Sequence, residues 1–306
     1  MEFGVALSQF TDRIDHLTAD AVLAEAAGLD SVWLADHLLG TADPGGPVLE
    51  AWTALSYVAG VTERVRLGHL VNGVAYRNVG LLAKMAATLD LASGGRLELG
   101  VGAGWYEAEY RAFGYPFGDG GERRRTFETY VAALVALLSG ETVDVDEHQV
   151  RLEGARVRPL GVQRPHPPIV IGAGAPYMLA ATGRLGDTWN CPARLLSTLE
   201  EPRALVDRAA GDRTVRTTIQ VPMAVGRTRA EADEAMAVGR DHLAWMGDIG
   251  AVGITGTIDE AVEKVARYAE RGVDGLVSVL PGSKGRPGFI EAYAEVAERY
   301  REAVSR

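Results

Sequence analysis

The chain has 306 residues, of which 47% are hydrophobic and 24% charged, and its formal net charge is −10. Disordered chains contain few apolar residues for their charge, so this composition excludes disorder as the main state. The acidic balance argues against a nucleic-acid partner, because duplex binding relies on clustered basic side chains that neutralise phosphates.

Three further features indicate where the protein works. The apolar runs fall short of the ~18 residues that a membrane span needs, so no membrane contact is expected. The first residues, Met1–Val5, lack the basic segment and apolar core of a signal peptide. The single cysteine, Cys191, cannot form an internal disulfide and fits a reducing compartment. We therefore expect a cytoplasmic enzyme.

Short apolar runs alternate with helical patterns along the chain. The predicted elements, in chain order, are a strand at Phe3–Ser8, a helix at Thr18–Ala27, a strand at Ser31–His37, a helix at Glu50–Gly60, a strand at Val65–Asn72, a helix at Val79–Ala92, a strand at Arg96–Gly104, a helical region broken at Phe113–Gly121 and resumed at Glu122–Ser139, a strand at Ile169–Gly172, a helix at Pro176–Leu185, a strand at Asp187–Asn190, a helix at Arg203–Ala210, a strand at Thr214–Val225, helices at Arg229–Trp245 and Thr257–Arg271, a strand at Leu276–Leu280 and a helix from Pro287 to the C-terminus.

This alternation amounts to about eight strand–helix units, with one extra helix before the last strand. The polar stretch 141–168 interrupts it, and we expect a small hairpin there. Repeated units of this kind predict a parallel sheet covered by helices, and eight of them favour a closed (β/α)₈ barrel in one domain, residues 1–306. A doubly wound open sheet is the alternative.

Active sites of such barrels lie at the carboxyl ends of the strands. The second predicted strand ends in Asp36 and His37, and histidine is the usual proton donor or acceptor near neutral pH. The alternative is a turn cap for Asp36 and a structural hydrogen bond for His37.

Polar residues and glycines also interrupt the third and fourth strands. His69 and Asn72 stand in an apolar run, where His69 is either a ligand contact or a buried core histidine. Gly102 and Gly104 lie at the end of the fourth predicted strand and leave backbone N–H groups open to a ligand. The G-x-G-x-G spacing differs from the G-x-G-x-x-G dinucleotide fingerprint and comes late in the chain, so a nicotinamide cofactor is not expected.

A stronger anion signal follows the fifth strand, where Gly172-Ala173-Gly174 leads into a helix that begins at Pro176. Such a turn presents free N–H groups and a positive dipole end to a phosphate; the alternative is a simple tight turn. No cluster has metal-ligand spacing and no G-x-S-x-G elbow occurs, so neither a metal enzyme nor a serine hydrolase is expected.

Taken together, three stretches resemble the bacterial luciferase-like flavin-dependent oxidoreductases, in the branch that uses the deazaflavin coenzyme F420. These are residues 27–37 (AGLDSVWLADH), residues 63–114 (ERVRLGHLVNGVAYRNVGLLAKMAATLDLASGGRLELGVGAGWYEAEYRAFG) and residues 166–190 (HPPIVIGAGAPYMLAATGRLGDTWN). The resemblance implies a (β/α)₈ barrel with insertions, a homodimer, and a cofactor ring in the barrel mouth with its phosphate tail running outward.

The resemblance also implies roles for single residues. His37 would assist proton transfer beside the redox carbon, and His69-Leu70 would form a non-prolyl cis peptide behind the ring. The cofactor-binding candidates are Asp36, His69, Leu70, Asn72, Gly102, Gly104, Gly172, Ala173 and Gly174.

One position departs from the family pattern. Relatives that oxidise sugar phosphates carry a glutamate directly after the glycine run, where this chain has Trp105. This argues against a sugar-phosphate substrate and predicts a more apolar pocket, with Trp105, Tyr106 and Trp52 as candidate lining residues. The alternative is that these rings only fill space between helices.

The leading functional hypothesis is hydride transfer between F420 and a small organic substrate. F420 is favoured over FMN because the chain is short for an FMN monooxygenase and because residues 100–110 (GVGAGWYEAEY) resemble deazaflavin users. The alternatives are an FMN-dependent monooxygenase that works with a separate reductase, and a non-catalytic flavin-binding protein. In each case the cofactor carries the redox chemistry, and the protein positions it and manages protons.

Overall fold

Eight parallel strands close into a barrel in the computed structural model, which describes residues 1–41, 43–243, 246–280 and 287–305. Trp245, the predicted end of one helix, lies outside the described residues. No helix in these ranges is long and apolar enough to cross a membrane.

The strands and helices follow the predicted alternation closely. The strands are β1 (Glu2–Ala6), β2 (Ser31–Leu34), β3 (Arg66–His69), β4 (Asn72–Gly73), β5 (Leu97–Gly102), β6 (Val143–Glu147), β7 (Val150–Ala155), β8 (Ile169–Gly172), β9 (Thr188–Cys191), β10 (Arg216–Gly226), β11 (Ile254–Thr257) and β12 (Gly275–Val279). The helices are α1 (Ile14–Ala26), α2 (Ala51–Val61), α3 (Val79–Ala92), α4 (Glu107–Phe113), α5 (Gly120–Leu138), α6 (Pro176–Leu185), α7 (Glu200–Ala210), α8 (Arg229–His242), α9 (Ile249–Val252), α10 (Ile258–Glu270) and α11 (Pro287–Val304), with a 3₁₀ helix at Ala193–Thr198.

The barrel strands run in the order β1-β2-β3-β5-β8-β9-β10-β12 and return to β1. Closure is visible at Ile219 of β10, which pairs with Cys191 of β9 on one side and with Leu276 of β12 on the other. An open sheet would leave two edge strands without such a partner. The predicted (β/α)₈ barrel is therefore confirmed, and the doubly wound alternative is wrong.

The differences from the sequence prediction are local. The predicted strand Val65–Asn72 is split into β3 and β4 at a cis peptide between Leu70 and Val71. The helix predicted to end at Gly60 runs one residue further, to Val61, in α2. The 3₁₀ helix, α9 and β11 were not predicted, because segments of four to six residues are too short to show a period. The expected excursion is the antiparallel hairpin β6–β7.

Below the mouth, the inside of the barrel is filled by side chains. The Trp33 indole from β2 packs with Val170 and Val277, and Ala6 and Leu70 pack against this group. The indole Nε1 donates a 2.8 Å hydrogen bond to the hydroxyl of the neighbouring serine on the same strand. Active sites of such barrels lie beyond this plug, at the carboxyl ends of the strands.

Ion pairs close the opposite, amino-terminal end of the barrel. Arg66 Nε lies 2.5 Å from the buried Glu98 carboxylate, and Arg216 Nη2 lies 2.9 Å from Glu2 Oε2. Burial raises the pKa of Glu98, and Arg66 opposes that shift. These charges stand at the strand starts and have a structural role.

Candidate active site

His37 stands at the mouth of the barrel, just beyond the end of β2, with 16% of its side chain exposed. Its Nδ1 lies 3.1 Å from Oε2 of Glu109. Phe10 at 6.4 Å, Trp105 at 5.7 Å and Tyr106 at 6.1 Å, measured between ring centroids, surround the imidazole. The structure thus places the predicted proton-transfer residue in an aromatic pocket, paired with a carboxylate.

Glu109, on the first turn of α4, is fully buried and was not predicted. Its Oε1 accepts hydrogen bonds from the backbone N–H groups of Leu38 and Leu39, and its Oε2 accepts one from the Tyr76 hydroxyl. Burial raises the pKa of Glu109, but the bonds from His37, Tyr76 and Leu39 lower it by more. Its pKa therefore lies below the ordinary value, and the side chain is an ionised acceptor.

Asp36 has a different environment from the one expected. Arg77 binds it through two bonds, Nη1 to Oδ2 at 2.7 Å and Nη2 to Oδ1 at 3.0 Å, and the Gly73 N–H adds a third at 3.0 Å. Arg77 also bonds to Glu50, which caps α2. With 1% of its side chain exposed, Asp36 is buried and holds this loop together through Arg77 and Gly73.

His69 likewise lies away from the mouth. Its ring is completely buried between β3 and α2 and packs against the Trp52 ring, with a centroid distance of 4.4 Å and an interplanar angle of 32°. Among the described residues, neither ring nitrogen has a well-formed hydrogen bond. Burial lowers the pKa of His69 to about 3, so the ring is neutral. The core-histidine alternative therefore describes its side chain better than the cofactor contact does.

Trp52 and Asn72 form one buried unit with the barrel wall. The indole Nε1 of Trp52 donates a 2.6 Å bond to Asn72 Oδ1, and Asn72 Nδ2 donates a 2.7 Å bond to the Gly100 carbonyl. Trp52 is 3% exposed. The structure gives both residues a packing role, and the pocket and cofactor contacts expected for them stay predictions.

The cis peptide lies at Leu70–Val71, so the expected His69-Leu70 position is wrong by one residue. Val71 fills the space that glycines leave on the neighbouring strands: a side-chain carbon at Gly102 would stand 2.6 Å from Val71 Cγ2, and one at Gly172 would stand 3.1 Å from it. These glycines therefore make room for the side chain of Val71.

Gly104 has a φ of +80°, a conformation that favours glycine. A side-chain carbon there would also lie 1.7 Å from the Tyr110 hydroxyl. Because glycine lacks a side chain, the backbone can turn here from β5 towards α4. This turn places Glu109 beside His37.

The turn from Gly172 to Gly174 precedes α6, whose cap residue, Ala175, offers no side-chain hydrogen bond. The exposed guanidinium of Arg194 lies against this turn, since a carbon added at Gly174 would stand 2.2 Å from its Nη2. In the described ranges no carboxylate pairs with Arg194. Free N–H groups and an available cation are what a phosphate group requires.

Trp105 and Tyr106 form the outer wall of the pocket. Their rings stack at 5.4 Å with an interplanar angle of 26°, and the Trp105 ring meets His37 edge-on. Trp105 is 63% exposed, which is unusual for so large an apolar side chain. Two of the three predicted pocket aromatics therefore lie beside His37.

Among the described residues, no group of three or more His, Cys, Asp or Glu side chains could hold a metal ion. The functional side chains that the sequence analysis missed are Glu109, Tyr76 and Arg77. The one sequence signal for Glu109 was its position within the aromatic segment 105–110. This signal is weak, because charged residues on helices are usually exposed to solvent.

A family model for luciferase-like monooxygenases matches residues 1–252 of the chain. An F420-dependent glucose-6-phosphate dehydrogenase from Beutenbergia cavernae is 30% identical, over 96% of this chain and 94% of that protein. An F420-dependent hydroxymycolic acid dehydrogenase from Mycobacterium tuberculosis is 31% identical, over 68% of this chain and 56% of that protein.

Solved structures share the fold at lower identity. An F420-dependent secondary alcohol dehydrogenase in complex with an F420–acetone adduct superposes with a TM-score of 0.83 at 17% identity, over 98% of this chain and 99% of that one. At this sequence identity the superposition shows a shared fold and nothing more. The family model, in contrast, matches most of the sequence, and the chain belongs to the luciferase-like monooxygenase family.

Proposed function

We propose that this protein is an oxidoreductase that transfers a hydride between coenzyme F420 and a small organic substrate. Its relatives from Beutenbergia cavernae and Mycobacterium tuberculosis are named F420-dependent dehydrogenases. The observation that carries the proposal is the His37–Glu109 pair, which stands just beyond the carboxyl end of β2, the strand that contributes Trp33. No observation favours the FMN monooxygenase.

The residues of the mouth fit a cofactor with a flat ring and an anionic tail. Leu70 and Val71 are partly exposed and give an apolar surface for a ring. The uncapped start of α6, together with Arg194, offers N–H groups and a positive charge for a phosphate. When bound, the deazaflavin supplies or accepts the hydride.

In this proposal His37 takes or delivers the proton that accompanies the hydride, and the surrounding aromatic rings keep water away from it. Trp105 and Tyr106 form the substrate wall. An exposed indole next to the reacting group favours an apolar or aromatic substrate body over a sugar phosphate, whose hydroxyls and phosphate would need polar partners. The substrate class therefore differs from that of the glucose-6-phosphate dehydrogenases.

A fluorescence titration of the purified protein with F420, and in parallel with FMN, tests the cofactor. We expect F420 to bind with a Kd in the micromolar range or tighter, and FMN to bind much more weakly. The reverse preference would contradict the proposal and favour the monooxygenase, whose diagnostic is oxygen uptake supported by FMN and a reductase. If neither bound, the protein would not be a flavin or deazaflavin enzyme.

We also propose that the protein is a homodimer. Large apolar side chains are exposed on the outer faces of the adjacent helices α1 to α3. Monomeric proteins usually expose such side chains singly, and a group of them marks an interaction surface. The exposed side chains are Val22, Tyr57, Val61, Leu81 and Leu91, with exposed fractions of 40 to 56%. Sedimentation velocity should give twice the chain mass of 32.6 kDa, and Tyr57→Glu with Leu81→Glu should give the monomer. A monomeric wild type would contradict this.

A further inference from the structure

The hydrogen bonds of Glu109 divide unequally between its two oxygens. Within the described part of the chain, Oε1 accepts only from backbone N–H groups, those of Leu38 and Leu39. Oε2 accepts from the Tyr76 hydroxyl and lies 3.1 Å from His37 Nδ1. A backbone N–H group can donate a hydrogen bond but cannot accept one. The N–H groups of Leu38 and Leu39 therefore fix which oxygen of Glu109 faces the backbone and which faces His37.

The protonation pattern follows from this arrangement. The ionised carboxylate can only accept, so a hydrogen bond to it requires the hydrogen on His37 Nδ1. Burial and the bond to Glu109 raise the pKa of the Tyr76 hydroxyl, which therefore stays a donor. In the neutral imidazole the other nitrogen, Nε2, then carries the lone pair. Among the described residues, no group bonds to Nε2.

We propose that Glu109 is a positioning residue that holds His37 in the tautomer with the hydrogen on Nδ1 and leaves Nε2 as the acceptor at the barrel mouth. The same carboxylate ties down the backbone that follows the histidine, at Leu38 and Leu39. The catalytic consequence rests on the proposed function, because it assumes that His37 handles the proton. The tautomer itself does not depend on it.

Glu109→Gln tests this proposal, because the glutamine amide has nearly the same shape as the glutamate carboxylate. Its carbonyl oxygen must face the N–H groups of Leu38 and Leu39, which puts the amide NH₂ where Oε2 now lies. That NH₂ donates to His37 Nδ1 and so forces the hydrogen onto Nε2. The variant is therefore expected to invert the tautomer. Tyr76→Phe, the matched control, removes one donor to Glu109 and is expected to keep the hydrogen on Nδ1.

Long-range ¹H–¹⁵N NMR of the full chain with labelled histidine reads the tautomer directly. The spectra are recorded at about pH 9, where imidazoles are ordinarily neutral, with and without added F420. The chain has six histidines, and the His37 signals are assigned as those missing in His37→Asn. We expect hydrogen on Nδ1 in the wild type and in Tyr76→Phe, and on Nε2 in Glu109→Gln.

Hydrogen on Nε2 in the wild type would overturn the proposal, even if Glu109→Gln failed to fold. Hydrogen still on Nδ1 in a folded Glu109→Gln would show that another group sets the tautomer. In turnover assays the Gln variant should lose about 10²-fold or more while its Kd for F420 stays within a few-fold, since a wrong tautomer cannot accept the proton. Weak F420 binding by the wild type would contradict the proposed function but would not affect the tautomer result.

Discussion

Replacing His37 by alanine is expected to lower kcat about 10²-fold or more, because proton transfer by a positioned side chain contributes a factor of that order. The Kd for F420 should change only a few-fold. The imidazole is partly exposed and is held by Glu109, and the apolar ring surface and the phosphate turn lie on other residues. Steady-state kinetics and the fluorescence titration measure the two quantities separately.

Trp105→Ala is the matched control for this change. It removes the ring that meets His37 edge-on but leaves the His37–Glu109 pair in place. Loss of substrate contact alone raises KM more than it lowers kcat. If His37→Ala instead behaved like Trp105→Ala, with a raised KM and an almost unchanged kcat, His37 would be a wall residue and would have no part in proton transfer.

Replacing Arg77 by methionine is expected to lower the free energy of unfolding by about 3 to 5 kcal/mol, the usual cost of leaving one partner of a buried ion pair alone. The partner is Asp36, which loses two hydrogen bonds and is 1% exposed in its side chain. Urea denaturation followed by circular dichroism gives the free energy. Arg111→Met, which breaks an exposed pair with Glu107, is the control and should have a far smaller effect.

This loss should depend on pH. Burial raises the pKa of Asp36, and Arg77 opposes that shift, so removing Arg77 raises the pKa in the folded state still further. A carboxyl whose folded-state pKa exceeds its unfolded value contributes stability at low pH and loses it as the pH rises through the folded pKa. The variant should therefore be less impaired at pH 5 than at pH 8. An equal loss at both values would mean that removing Arg77 does not change the protonation of Asp36 between pH 5 and pH 8.

The periodicity of the sequence determined the architecture. Helices Val79–Ala92 and Pro176–Leu185 and the strand Ile169–Gly172 have the predicted bounds, because their apolar spacing and their caps are local properties of the chain. The position of His37 also followed from the sequence, since a barrel brings the carboxyl ends of all its strands to one face. The closed ring of eight strands followed from counting units.

Only the tertiary structure decided which polar residues meet. Glu109 lies 72 positions from His37 along the chain, and Arg77 lies 41 positions from Asp36, so no spacing rule links either pair. The side-chain direction of His69 also could not be predicted from the sequence, although here the question concerns a single strand. Alternate side chains of a strand point to opposite faces, and the register of β3 turns His69 outward onto Trp52. Sequence thus determined where the strands end, whereas packing decided which side chains face the mouth, because pairing between distant segments depends on the closed barrel.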